Sequence, residues 1–329
     1  MKPVLVHTHF HNRRTGVTRS IENVIPFFKE SFDSYVYGDT INWTKISSFK
    51  LVQILFSNKK TIVHCHRNNE IIRMLFFRFL GAKFSLIATR HAESHPSSFT
   101  INLLKKTDYI ITLTESMSNS LQIENTIIGH GVNVDFFIPK KQIGYNDIPQ
   151  KNIILCAGRV RASKGQETLF EAAKVLSKNK SWALLVVGKI EKTSFYNKLK
   201  KIIDRNSVQN QIYFIDETID INRYYQSAKI FVAPSLSEGF SLVAAEAMSC
   251  GCTVIATKKV GIHSKLIKHG KSGYLFEAGN AVQLEKLILG LIQKKLPFLG
   301  GVARKEIETN WNSKLEAKKL IELYKKSVM

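Results

Sequence analysis

The sequence predicts two doubly wound α/β domains in series. Three observations carry that expectation. Short apolar strands alternate with amphipathic helices, the rhythm breaks once near the middle of the chain, and 329 residues exceed what a single core usually holds. In the first half, residues 4–6 read as a strand and residues 18–29 as a helix with one apolar stripe. A strand at 61–63, a helix at 69–80 and a strand at 84–89 follow. A strand at 109–113 and a helix opening at 115–121 complete that half.

The stretch from Pro139 to Pro149 carries two prolines, a glycine and little apolar periodicity, so it reads as the linker. The alternation then restarts. Strands are expected at 153–157, 182–187, 212–215, 230–233 and 253–256, with helices at 167–177, 195–204, 221–228 and 242–249. The expected organisation is a first domain over 1–140, a linker over 141–151, a second domain over 152–305, and a last helix over 306–329 packing back on the first domain. Two such domains place a binding site in the cleft between them.

Composition narrows the class. A 44% hydrophobic share is too high for a disordered chain. No window approaches ~20 uninterrupted apolar residues, and His7 and His9 interrupt the first apolar run, so neither a spanning helix nor a secretory leader is expected. Cys65, Cys156, Cys250 and Cys252 are too few for a disulfide framework in so long a chain. Cys250 and Cys252 lack a second ligand pair and read as buried thiols. A cytoplasmic protein is expected. The net charge of +22 calls for an anionic neighbour. It is spread along the chain, with 18 Lys+Arg against 10 Asp+Glu in residues 1–145 and 30 against 16 after them. Nucleic acid is excluded for want of a finger, an RNP aromatic pair or a helix-turn-helix signal.

An anionic membrane surface fits better. Residues 42–60 interleave Trp43, Phe49, Leu51 and Phe56 with Lys45, Lys50, Lys59 and Lys60. Residues 71–84 mix Phe76, Phe77 and Phe79 with Arg73, Arg78 and Lys83, and are expected to form a buried crossover helix with basic ends reaching solvent.

Two segments carry chemistry. Ser237-Glu238-Gly239-Phe240-Ser241 follows an apolar strand and runs into a helix holding Glu246. A helix start offers unpaired N–H groups to a phosphate, and Gly239 admits a ligand against the backbone. Counted as one helix, Glu238 and Glu246 fall two turns apart near one face, where paired carboxylates accept sugar hydroxyls. An ordinary N-cap reads the same way. Gly158-Arg159-Val160-Arg161-Ala162-Ser163-Lys164-Gly165 follows the first strand of the second half, where a doubly wound sheet binds ligands. Arg159 and Lys164 suit a diphosphate there, although a solvated basic turn has the same composition.

Taken together and in this order, these segments, with Pro234-Ser235 and Glu246-Ala247-Met248, resemble family four of the glycosyltransferases over roughly residues 150–280. The two glutamates match that family's E-x7-E pattern. The resemblance implies the GT-B architecture, two Rossmann-like domains facing a cleft, and a retaining transfer from a nucleotide sugar. It implies donor binding by Arg159, Lys164, Gly239, Phe240, Ser241 and Glu246, with Glu238 on the transferred sugar. In the first half it implies Gly16 facing the donor phosphates and His91, in Thr89-Arg90-His91, near the reacting carbon. The segment Gly129–Phe136 is similar to the one that ends the first domain in that family. Lys189 after Gly188, and the absence of a glycine after Phe214-Ile215, depart from the pattern near the expected base pocket.

Residues 9–18 resemble the start of lipopolysaccharide core mannosyltransferases, which implies GDP-mannose as donor and an anionic Kdo-bearing glycolipid as acceptor. Arg13, Arg14 and Arg19 would then meet its carboxylate and phosphates. It also implies work at the inner face of the cytoplasmic membrane. A UDP-hexose transferase acting on another envelope glycan is the alternative. No Asp-x-Asp triplet occurs, and no cofactor or essential metal is expected. His7 and His9 offer a rival, a metal-dependent hydrolase on a β/α barrel, because a strand places both on one face.

Overall fold

The structure is a computed structural model that describes residues 2–140 and 148–329. Among the described residues the chain forms two units, one of residues up to Asn133 together with Trp311–Met329, the other of Val134–Asn310. Each contains a parallel sheet of six strands. In the first unit β1 (Val4–His9), β2 (Asp33–Gly38), β3 (Thr61–Cys65), β4 (Ser85–Arg90), β5 (Tyr109–Thr112) and β6 (Thr126–Ile127) lie in the order β2-β1-β3-β4-β5-β6. The connecting helices are α1 (Gly16–Val24), α2 (Ser48–Leu55), α3 (Asn68–Phe79), α4 (Ser98–Leu104) and α5 (Glu115–Leu121).

In the second unit β7 (Asn152–Ala157), β8 (Trp182–Val187), β9 (Ile212–Ile215), β10 (Ile230–Ala233), β11 (Thr253–Thr257) and β12 (Tyr274–Phe276) lie in the order β12-β11-β10-β7-β8-β9. Its helices are α6 (Gln166–Ala172), α7 (Thr193–Arg205), α8 (Ile221–Ser227), α9 (Leu242–Ser249), α10 (His263–Leu266), α11 (Ala281–Ile292) and α12 (Gly300–Asn310). The last helix, α13 (Ser313–Lys326), belongs to the first unit.

β1 and β3 are buried at every position because both faces of their sheet are covered. Period-two alternation sends Val4, Val6, Val63 and Cys65 toward α2, α3 and α4, and Leu5, Ile62 and Ile87 toward α1 and α13. His7 and His64 are register partners on the second of these faces. There Ala317, Leu320, Leu323 and Tyr324 of α13 pack on Ile21, Val24 and Phe28. Val132 and Ser313 exchange backbone hydrogen bonds with Trp311 and Val132, and a Cβ on Gly131 would lie 2.4 Å from Asn312 O.

The units divide ahead of the proline-rich stretch. Arg304 donates to the carbonyls of Val134 and Phe137, Asn222 to Phe136, and Gln226 to Ile138, which ties residues 134–138 to the second unit. Residues 141–147 of the expected linker lie outside the described residues.

α3 departs from expectation. Its inner side buries Ile71 and Met74, but Phe76 is 58% and Phe79 86% exposed, so it is not an enclosed crossover helix. Phe49 and Phe56 stand out likewise around α2, which packs on the same face of the sheet. No helix among the described residues is long and apolar enough to cross a membrane. All four cysteines are free and buried, and burial pushes the thiols of Cys156 and Cys250 up to about 12.

Candidate active site

The order of the second sheet reverses between β7 and β10, and the turns leaving these two strands meet at their carboxyl ends. After β7 the chain passes Gly158 (φ +131°) and a 3-10 turn, Ala162–Lys164, closed by Gly165 at φ +66°. The two turns touch at Gly165, where a Cβ would fall 1.9 Å from Pro234 O, and Leu236 N–H donates to Ser163 O. That contact delivers Lys164 to Glu238, Nζ to Oε1 2.6 Å, and Ser235 Oγ donates to the same carboxylate oxygen at 2.7 Å. The Lys164 and Glu238 side chains are only 18% and 10% exposed, so solvent screens the pair weakly. Gly165→Ala is expected to cost roughly 2–3 kcal/mol, from a left-handed φ and a backbone collision together. A drop in the urea midpoint, with transfer lost at the same time, checks it; an unchanged midpoint would rule the contact out as a constraint.

α9 begins at Leu242, so Glu238 lies in the turn before the helix and not on it. This corrects the picture of two carboxylates on one helical face. Glu246 is 2% exposed and accepts the Tyr225 hydroxyl at 2.9 Å. Ser241 takes φ +83°, and its hydroxyl does not cap the helix. It meets His263 Nε2 at 2.8 Å, while His263 Nδ1 faces Thr257 O at 3.0 Å. A ring donating from Nδ1 to a carbonyl accepts at Nε2, so Ser241 donates. Burial lowers the His263 pKa, which favours that neutral ring. Phe240 is buried and its carbonyl accepts Ile262 N–H. Arg159 is exposed and faces Glu191 at 3.4 Å.

In the first unit the carboxyl ends of the strands carry histidines. His7 Nδ1 meets His66 Nε2 at 3.2 Å, His66 Nδ1 meets His91 Nε2 at 3.1 Å, and His91 Nδ1 meets His130 Nε2 at 3.4 Å. His130 Nδ1 ends the chain on Glu316 Oε1 at 2.9 Å, and Glu316 Oε2 accepts Gly131 N–H. His66, His91 and His130 each use both ring nitrogens, so the proton position on one of these rings dictates the next. Beside it His64 meets Tyr324 Oη at 2.6 Å and Thr89 Oγ1 at 2.7 Å. Burial pulls His7 down to about 3 and His64, His66 and His91 well below the ordinary range.

Ligand atoms of His7, His64 and His66 lie within 4.8 Å of one another, the spacing a metal would need. Both nitrogens of His64 and of His66 are spent in hydrogen bonds. His9 turns instead to Thr18 and Thr40, so the His7/His9 pair does not converge, and two open sheets replace the barrel that a hydrolase of this kind would use.

A hollow of about 560 Å³ opens beside His91 and is lined by Arg67, Asn68, Arg90, Ser94 and His95, among others. Arg13, Arg14 and Arg19 do not line it. Arg14 pairs with Glu22 at 2.5 Å. Gly16 starts α1 with open space where a Cβ would stand. The turn from β3 into α3 is fixed by buried Glu70, which accepts from Thr8 Oγ1, His66 N–H and Phe10 N–H. Arg67, His66, His130, Glu316 and His263 were not marked out by sequence. Their only signal is that each follows a strand or closes one from far along the chain.

Comparison with known proteins gives the family and the fold. The family model for glycosyl transferases group 1 matches residues 138–311, just over half of the chain. The lipopolysaccharide core biosynthesis mannosyltransferase LpcC of Rhizobium leguminosarum bv. viciae is 27% identical over 299 residues, covering 86% of this chain and 84% of that protein. LpsB of Rhizobium meliloti, described in the same terms, is 26% identical over 291 residues, covering 81% and 80%. Among solved structures, HepE of Anabaena in complex with UDP and glucose superposes with a TM-score of 0.80 at 16% identity, covering 97% of this chain and 98% of that one.

Proposed function

Because the chain belongs to the glycosyl transferases group 1 family and is a glycosyltransferase of GT-B fold, we propose that it moves mannose from GDP-mannose onto an acidic, Kdo-bearing acceptor of the lipopolysaccharide inner core. The observation that carries this is the Lys164–Glu238 pair at the reversal point of the second sheet, inside the region the family model matches. Likeness over most of the chain to LpcC and LpsB, lipopolysaccharide core biosynthesis mannosyltransferases, supports an acceptor of the lipopolysaccharide core.

In this proposal the diphosphate takes Lys164 over from Glu238, with Arg159 and the N–H groups at the start of α9 around it. Glu238, released, accepts hydroxyls of the mannose. Gly239, Phe240 and Ser241 supply backbone beside the sugar phosphate, and Glu246 serves the ribose. The acceptor hydroxyl attacks the anomeric carbon on the face the diphosphate leaves. Its proton passes to the departing diphosphate, and the α configuration is retained. Gly16 keeps the loop after β1 open to phosphate, and His91 borders the acceptor side. Arg13, Arg14 and Arg19 serve the outer charges of the glycolipid. The exposed aromatic-basic faces of α2 and α3 rest on the anionic inner leaflet.

A thermal-shift panel of GDP-mannose, UDP-glucose, UDP-galactose and UDP-N-acetylglucosamine tests the donor. GDP-mannose at 100-fold its Kd should stabilise by about 2.7 kcal/mol, with or without chelator, and the UDP sugars should do little. A shift confined to a UDP sugar overturns the donor, and a shift abolished by chelator overturns metal independence.

A further inference from the structure

Two turns deliver one arginine each to the wall of the hollow in the first unit. Arg67 sits at the N-cap of α3, and Arg90 is the last residue of β4. Arg90 is only 9% exposed, and its Nη2 donates to Ser94 O. Among the described residues its Nε–H is buried with no hydrogen-bond partner, and so is that of Arg67. A guanidinium carries five N–H groups in a fixed fork and cannot shed its charge, so a buried N–H left unmet is a standing cost that a bound acceptor oxygen removes. Among the described residues none that lines the hollow is an aspartate or glutamate. Buried Glu70, in the first turn of α3, feels the charge of Arg67 but accepts its hydrogen bonds from Thr8, His66 and Phe10.

The remaining wall suits a sugar. Asn68 donates to Thr100 Oγ1 at 2.9 Å, bracing the starts of α3 and α4, and the α3 N-terminus adds its positive end. Ser94, Ser97 and Thr100 bring hydroxyls, and about 560 Å³ accommodates a small saccharide.

We propose that this hollow is an oxyanion-binding site for an acidic sugar of the acceptor, with Arg67 and Arg90 gripping its carboxylate or phosphate. It deepens the acceptor half of the reading above and rests on that reading only for the choice of sugar. Arg13, Arg14 and Arg19 are not among its lining residues, although Val17 is, and it recognises the acceptor by one charged group rather than by general attraction to a basic surface.

The test is titration calorimetry of the full chain with Kdo, with Kdo reduced at its carboxyl group to the alcohol, and with inorganic phosphate. Wild-type protein should bind Kdo and not the alcohol. Arg67→Gln and Arg90→Gln should each weaken Kdo binding by roughly 10- to 100-fold, the worth of a charge-assisted bond. Arg90→Lys, which keeps the charge and loses the fork, should fall between. Stabilisation by GDP should be unchanged in every variant, which certifies folding; if Arg90→Gln does not fold, Arg67→Gln and Arg90→Lys decide. Phosphate displacing Kdo, or binding where Kdo does not, keeps the arginine pair as an oxyanion site and assigns it to a phosphorylated sugar. Equal binding of Kdo and its alcohol, or unaltered binding of every probe in the variants, overturns it. The donor panel fails or succeeds independently, because none of these titrations contains a nucleotide sugar.

Discussion

Lys164→Ala is expected to cut glycosyl transfer by roughly 10²–10³-fold while the chain stays folded. Lys164 is the cation held deepest in the turn after β7, with its Nζ 2.6 Å from Glu238. Removing one preorganised donor aimed at developing negative charge costs about 2.7–4 kcal/mol of barrier, which is that range of rate. The substitution also takes the cation away from the Glu238 carboxylate, 10% exposed, so a stability loss of about 1–3 kcal/mol should accompany it. Glu238→Gln separates the two effects. It keeps the shape, removes the internal competitor for the lysine, and should leave GDP stabilisation equal or larger while transfer falls. Initial rates of mannosyl transfer beside thermal shifts with GDP check both. Near-wild-type turnover in Lys164→Ala and in Glu238→Ala would reject these roles.

The first unit is expected to lose stability steeply below about pH 6.5. Burial draws His7 down to about 3 and His9 to about 4, whereas the unfolded chain takes up protons at the ordinary 6.5. Between those values the unfolded chain binds more protons than the folded one. Stability is therefore complete above pH 6.5 and drains away as the pH falls toward 4. Each ring costs about 1.4 kcal/mol per pH unit in that window, so these two alone remove about 3 kcal/mol by pH 5.5. His64, His66 and His91 shift the same way, and Glu70, whose carboxyl burial raises, offsets part of the loss. Against a usual stability of about 5–15 kcal/mol this is decisive. Urea midpoints from about pH 7.5 to 5 measure it; a midpoint that does not move would show that these histidines take up protons as readily in the folded chain as in the unfolded one.

The doubly wound architecture was legible because parallel strands covered on both sides read as continuous apolar runs, as in Ile153–Ala157 and Trp182–Val187. β2 escaped notice because it is an edge strand, with Asp33 exposed and Tyr35 and Tyr37 half-buried. The phenylalanines of α3 misled for a different reason. Apolar residues between basic ones look the same whether a helix is enclosed or half bare, and only packing separates the cases. Lys164 and Glu238 were both named from sequence, yet their contact spans 74 positions and depends on Gly165 pressing against Pro234. The histidines at the ends of β1, β3 and β4 sit singly or in pairs along the chain, so their linkage to Glu316 appears only once α13 has returned. Arg67 and Arg90 were lost in the general surplus of positive charge.

That return has a bearing on how the molecule is born. Leu320, Leu323 and Tyr324 cover the same apolar face as Phe28 and Ile62, but they leave the ribosome more than two hundred and fifty residues later. The half of the protein translated first therefore waits with one greasy flank bare, while the half translated later can close on its own chain. Maturation should run opposite to the order of synthesis, with the opening residues sealed last.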